Sequence, residues 1–109
     1  MKIIVDLSIL YEEHGREHLY IHVGKVYETE LVPMIGMKLI DLVWKEARDI
    51  QSVIIDLDKG CYLLNIGDDT CKDRTECEQL KQIYHSHGWT RFQVEKPINL
   101  IKDDIDNYR

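Results

Sequence analysis

The side chains best suited to binding chemistry lie along one segment near the N-terminus. His18, Tyr20 and His22 alternate with apolar residues, so a β-strand would place all three on one face of a sheet. Two imidazoles and a phenol make an aromatic surface that can stack on other aromatic groups. We predict a ligand-binding face here, the alternative being a solvated sheet face without such a role. The residues predicted to complete the ligand-binding set are Arg16, Tyr27 and Arg91.

Asp6 suggests a different chemistry, the metal-dependent cleavage of nucleic acid. The segment Ile3–Leu10 resembles the first strand of PIN-type ribonucleases, which carries an acidic residue to a Mg²⁺ cluster. Such a site needs several converging carboxylates, and Asp56 or Asp58 would contribute. The resemblance ends at Leu10, because the residues that follow predict a loop and a second strand in place of a helix. We therefore expect Asp6 to be an outward-facing polar residue, with the nuclease as the alternative.

The other potential metal ligands lack the spacing of a metal site. Cys71, Cys77, His85 and His87 do not include the close cysteine pair that is typical of zinc sites. Asp56–Gly60 begins like a calcium loop, but no glutamate follows at the twelfth position of that loop. We expect no metal and no cofactor. The odd number of cysteines, three, predicts reduced thiols and a cytoplasmic location.

The composition predicts one soluble domain. The chain has 109 residues, of which 44% are hydrophobic and 31% charged, and a chain of this length can bury a sizeable core. Its formal net charge of −6 argues against direct binding to nucleic acid, which requires a cluster of basic residues on the protein surface. No apolar run approaches the roughly 20 residues of a membrane span, so we expect no membrane association.

Alternating patterns near the N-terminus predict a β-hairpin. Every second residue of the first run is apolar, which predicts one buried strand face consisting of Ile3, Val5, Leu7 and Ile9. A second alternating run follows a polar loop at residues 12–16, as expected for an antiparallel partner. Gly24 interrupts this second run and predicts a bulge or a bend.

The middle of the chain predicts further strands. Pro33 and Gly36 indicate a change of direction before a short strand, since proline removes a ladder donor and glycine permits a tight turn. Residues 41–47 are compatible with a turn of helix or with a β connection. The clearest hairpin of the chain joins strands at residues 52–57 and 61–66.

One helix is predicted, over residues 74–87. Asp73 or Thr75 can cap its start, and Gly88 is suited to end it. A final strand is predicted over residues 90–95, where apolar and polar side chains alternate again.

These elements predict an α+β protein with a mostly antiparallel sheet, or a small partly open barrel, and one packed helix. Without alternating strands and helices, a doubly wound nucleotide-binding fold is not expected. We assign residues 1–97 to a single β-rich domain. We expect residues 98–109 to be a C-terminal tail, with a short packed helix as the alternative.

Three segments carry a resemblance to known proteins: Val32–Lys45, the hairpin Val53–Ile66 and the helix end Tyr84–Trp89. Together they resemble short uncharacterised proteins encoded by phages and prophages of Gram-positive bacteria. In those proteins a Pro-x-Ile-Gly turn precedes a strand, a connection containing tryptophan and a β-hairpin. The resemblance brings no catalytic motif, and it implies a small cytoplasmic accessory protein.

We expect a non-enzymatic binding protein. The resemblance implies that it acts stoichiometrically, either by sequestering a nucleotide immune signal or by blocking a host protein. We also expect a homo-oligomer. The alternatives are the Mg²⁺-dependent nuclease and a structural or virion-associated interaction module.

Overall fold

The computed structural model describes residues 1–91 and shows seven strands and one helix. In chain order these elements are β1 (Lys2–Glu13), β2 (Arg16–Glu28), β3 (Lys38–Leu39), β4 (Arg48–Asp49), β5 (Ser52–Asp56), β6 (Cys61–Cys71), α1 (Arg74–Ser86) and β7 (Thr90–Arg91). Five strands form one sheet in the spatial order β5-β6-β1-β2-β7, and β3 pairs with β4 in a separate ladder. Within residues 1–91, no helix is long and apolar enough to cross a membrane.

The main sheet is mixed. β6 runs parallel to β1, whereas the other three pairs of neighbouring strands in the sheet are antiparallel. It does not close into a barrel. The predicted α+β class with one packed helix is therefore confirmed, with an open sheet in place of the barrel alternative. The rest of the predicted strand at 90–95, the domain boundary at 97 and the tail 98–109 lie outside the described residues.

The first hairpin forms as predicted, with its turn at His14 and Gly15. Both residues have positive φ, 54° and 72°, which suits the tight turns that join twisted antiparallel strands. The irregularity in the ladder lies at Tyr20 and not at Gly24. Ile9 pairs with Ile21 and Leu10 with Leu19, so Tyr20 is an extra residue of β2 without a partner on β1.

The buried face of β1 also forms as predicted, and α1 packs against it. The helix contributes Cys77 and Tyr84 to the core, both 0% exposed. The side-chain nitrogen of Trp44 donates a 3.0 Å hydrogen bond to the Tyr84 hydroxyl, which in turn donates to Asp69. Arg48 completes this network with a 2.6 Å ion pair to Asp69. The network joins α1 to the sheet and to the segment that carries Trp44.

The helix begins where a cap was predicted and ends one residue earlier than predicted. The side chain of Asp73 accepts a 2.8 Å hydrogen bond from the backbone N–H of Glu76, so Asp73 is the cap and Thr75 is not. Gly88, with φ of 87°, follows the end of the helix. Residues 41–47 form turns without a helix, and β4 comes directly after them.

Candidate functional site

Aromatic and basic side chains meet where the first hairpin passes the start of α1. The rings of Tyr11 and His18 stack at 5.2 Å and 25°. The guanidinium of Arg74 lies 5.9 Å from the centre of the Tyr11 ring and 5.8 Å from that of Tyr20, and the Lys81 ammonium lies 5.9 Å from Tyr20. We call Tyr11, His18, Tyr20, Arg74 and Lys81 the hairpin cluster. Its rings and cations attract one another at distances typical of cation–π pairs.

The polar groups at the centre of the hairpin cluster are bonded to the protein itself. The Tyr20 hydroxyl donates to Glu78, and the Lys81 ammonium lies 2.8 Å from the same carboxylate. Hydrogen bonds from Lys81 and Tyr20 lower the pKa of Glu78 to about 2, and the bond to Glu78 raises the pKa of Tyr20. A ligand at the hairpin cluster would have to break these bonds, or bind without using the Tyr20 hydroxyl and the Lys81 ammonium.

His22 does not share the face of His18 and Tyr20, so this part of the prediction is wrong. The ring of His22 is hydrogen-bonded to the Ser8 hydroxyl at 2.8 Å, on the sheet face opposite to α1. The reason is the bulge at Tyr20, because one extra residue reverses the alternation of side chains along β2. His18 and His22 therefore point to opposite faces although four residues separate them.

The remaining predicted ligand-binding residues are distributed along the molecule. Arg16 is exposed beside the hairpin turn, whereas Tyr27 lies at the far end of β2, roughly 35 Å away for an extended strand of this length. Arg91 is exposed opposite Val23 and is near enough to Lys81 to influence its pKa. Of the predicted set, the structure brings together His18 and Tyr20, which share contacts with Tyr11 and Arg74.

Asp6 lies on the face opposite to α1, but it is buried, which corrects the expectation of an outward-facing residue. It is 8% exposed, and its Oδ1 atom has no hydrogen-bond partner among the described residues. Burial raises its pKa, against the opposing influence of His22 and of a hydrogen bond from Asn65. Because β1 is the central strand, β2 and β6 shield the side chains on both of its faces.

The carboxylates that a Mg²⁺ nuclease would need do not converge on Asp6. Asp6 is aligned with Asn65 of β6, whereas Asp56 is aligned with Cys61, four residues away along that strand. Asp58 follows Asp56 in the turn that leads to β6. Within the described part of the chain, no group of three or more histidine, cysteine or acidic side chains could hold a metal ion.

A third region, which the sequence did not single out as a site, is strongly apolar and exposed. We call residues 31–42 the apolar loop. Seven of its large apolar side chains are between 41% and 91% exposed: Leu31, Val32, Met34, Ile35, Met37, Ile40 and Leu42. The eighth, Leu39, is partly buried against the core. Large exposed apolar patches are rare on monomeric soluble proteins and are typical of interaction surfaces.

Asp41 anchors the apolar loop to β2. Its carboxylate accepts hydrogen bonds from the Tyr27 hydroxyl, from the Lys25 ammonium at 3.0 Å and from the backbone N–H of Val43 at 3.0 Å. Burial opposes ionisation of Asp41, but the hydrogen bonds outweigh it and lower its pKa to about 2. Burial and the bond to Asp41 also raise the pKa of Tyr27. The loop is thereby held in one position although its apolar side chains face solvent.

A cavity of about 200 Å³ opens beneath the apolar loop. Its lining is mainly apolar and includes Ile3, Val5, Tyr27, Leu39, Ile40 and Trp44. Backbone hydrogen bonds tie the base of the loop to the segment after β4, with Ile50 donating to Met37 at 2.8 Å and Gly36 to Ile50 at 3.3 Å. The exposed apolar side chains of the loop therefore lie next to an apolar recess beneath the loop.

Comparison with protein-family models, with curated proteins and with solved structures finds no match to this chain. Sequence reasoning missed Arg74 and Lys81, which reach the aromatic rings only through packing of α1 on the hairpin. It also missed the apolar loop, for which a signal existed: Leu31–Leu42 contains a large apolar residue at most positions and follows no strand or helix period.

Proposed function

We propose that this protein is a non-enzymatic accessory protein that binds another protein stoichiometrically through the apolar loop. The observation that carries the proposal is the exposure of seven large apolar side chains on a loop fixed by a buried carboxylate. Their combined area is of the order of the roughly 800 Å² that each partner contributes to a standard protein–protein interface. A loop that is already held in place loses little conformational entropy on binding.

The side chains in and beside the apolar loop indicate what kind of protein surface would bind there. The exposed apolar side chains of the loop require an apolar surface on the partner, and the recess beneath the loop accommodates a large apolar side chain of that partner. Glu28 and Glu30, both exposed, precede the loop, and the whole chain carries a charge of −6. A partner surface with an apolar centre and a basic rim complements both features. The resemblance to phage and prophage proteins makes a cytoplasmic protein of a bacterial host the expected partner.

Nucleotide sequestration is the second candidate, and the hairpin cluster favours it. Stacked rings of Tyr11 and His18 beside Arg74 are the kind of surface on which a base and a phosphate are held. The first candidate is preferred because Tyr20 and Lys81 are already bonded to Glu78. The exposed apolar side chains of the loop have no polar groups that are already bonded in this way.

Site-specific photo-crosslinking tests the proposal. A photoreactive amino acid at Leu42, which is 91% exposed, should capture a protein that the same group at Gln79, exposed on α1, does not capture. The captured protein, once purified, should bind with fixed stoichiometry in calorimetry. Ile40→Asp should weaken this binding at least tenfold, and Arg74→Gln should leave it unchanged.

Two results would contradict the proposal. The first is equal capture from both positions. The second is a loss of binding caused by Arg74→Gln and not by Ile40→Asp. A thermal-shift measurement with cyclic and linear nucleotides tests the second candidate function. A stabilisation by nucleotide that Arg74→Gln abolishes would assign nucleotide binding to the hairpin cluster.

A further inference from the structure

β5 forms one edge of the main sheet, and in the part of the chain that the structure describes no strand pairs with its outer side. Natural proteins protect such edges with lysine, proline, bulges or covering segments, because an unpaired row of N–H and C=O groups invites another strand. β5 has the sequence Ser-Val-Ile-Ile-Asp, without lysine or proline, and it pairs with β6 in regular register. Ile55 is 57% exposed and Leu57, just beyond the strand, is 87% exposed.

We infer that β5 pairs antiparallel with β5 of a second copy of this chain, so that two five-stranded sheets join into one. A two-fold axis at Ile54 places Val53 opposite Ile55 of the other copy and Ser52 opposite Asp56 of the other copy. Each apolar side chain then meets an apolar one, and the serine hydroxyl can donate to the carboxylate. The strand is thus complementary to itself, as a two-fold symmetric interface requires.

The two sheet faces next to β5 support the same pairing. Ile55 is aligned with Tyr62 of β6 and Ile54 with Leu63, and both β6 side chains are partly exposed. A second β5 would extend these apolar rows on each face, since directly opposed residues share a face. The inference goes beyond the proposed function and does not depend on the apolar loop.

Light scattering over a concentration series tests the inference with the full chain. The wild type should show dimers that dissociate on dilution, and Ile55→Lys should weaken dimerisation at least tenfold by placing a charge on the edge. Leu42→Lys, in the apolar loop, is the matched control and should leave the mass unchanged. A wild-type monomer at all concentrations would overturn the inference, as would a dimer lost in Leu42→Lys and kept in Ile55→Lys.

Crosslinking tests the register independently of stability. In the inferred pairing the two copies of residue 54 have Cβ atoms about 5 Å apart, whereas the two copies of residue 52 are offset by four residues, about 13 Å along the strand. A bis-maleimide whose reach lies between these spacings should link Ile54→Cys chains and not Ser52→Cys chains. The native cysteines are buried, and the unmodified chain measures their background. Equal linkage of both variants, or of neither, would overturn the inferred register.

Discussion

Tyr20 and Tyr27 lie on the same strand, and each donates its phenolic hydrogen to a carboxylate, but the surroundings of the two pairs differ. The side chain of Asp41, which accepts from Tyr27, is 3% exposed, whereas that of Glu78, which accepts from Tyr20, is 44% exposed. The first pair fixes the apolar loop in place. The second occupies polar groups that a ligand would otherwise use. For this reason the proposed binding surface is the apolar loop and not the hairpin cluster.

The largest expected difference between the two pairs concerns their carboxylates. Asp41→Asn should lower the free energy of unfolding by about 3 kcal/mol, because it leaves the Lys25 ammonium partly buried without its counter-charge. The matched change Glu78→Gln should leave the unfolding midpoint within error of the wild type, because exposed ion pairs contribute little. Urea denaturation of both variants measures the difference. Similar losses in the two variants would contradict the distinction.

The pH dependence of stability should identify the contribution of Asp41. Asp41 has a folded-state pKa lowered to about 2, so it stabilises the fold at pH values above its ordinary pKa near 3.8. That contribution is lost as the pH falls from about 4 towards 2. The stability difference between the wild type and Asp41→Asn should therefore shrink over this interval. Glu78 also has a pKa lowered to about 2, but it is present in both proteins, so its contribution cancels in the stability difference. A difference independent of pH would contradict the assignment.

Removing one hydroxyl from each tyrosine gives a smaller effect in the same direction. Tyr27→Phe should lower the free energy of unfolding by about 1 to 2 kcal/mol, since the buried Asp41 loses a charge-assisted hydrogen bond. Tyr20→Phe should have no measurable effect, because Glu78 keeps its bonds to Lys81 and Gln82 and its contact with water. Thermal unfolding of the two variants is the measurement. A larger loss in Tyr20→Phe would reverse the comparison.

Substitutions in the apolar loop should have the smallest effect on stability and the largest effect on the proposed binding. Leu42→Asp and Ile40→Asp change side chains that are 91% and 82% exposed, so the free energy of unfolding should change by less than about 0.5 kcal/mol. Both should reduce the fluorescence of a dye that binds exposed apolar surface. A destabilisation of several kcal/mol would instead mean that these side chains pack in the core.

The parts of the fold that were predictable depend on local patterns. The buried face of β1 follows from the alternation of apolar residues. The start of α1 follows from Asp73, whose side chain accepts a hydrogen bond from the backbone N–H three residues later. The turn at Gly15 follows from a glycine between two alternating runs. In each case the physical cause lies within a few residues of its effect.

The candidate site was not predictable in this way because its geometry depends on distant residues. The bulge at Tyr20 is set by the register between two strands, and it alone decides that His22 faces away from His18. Tyr20 and Glu78 are 58 residues apart in sequence, and Lys25 and Asp41 are 16 apart. An aspartate in a turn carries no local sign that it will be buried. Only the closing of the loop on β2 reveals Asp41 as an anchor.

The parallel pairing of β1 with β6 has a consequence for the order in which the chain folds during synthesis. β1 and β2 are made first and can form their hairpin at once, since the turn between them is two residues long. The other edge of β1 has no partner until β6, which begins at Cys61, leaves the ribosome. Through that interval the central strand of the future sheet is an open edge with apolar Ile3, Val5 and Leu7 exposed. The nascent chain is then more prone to aggregation than the finished protein.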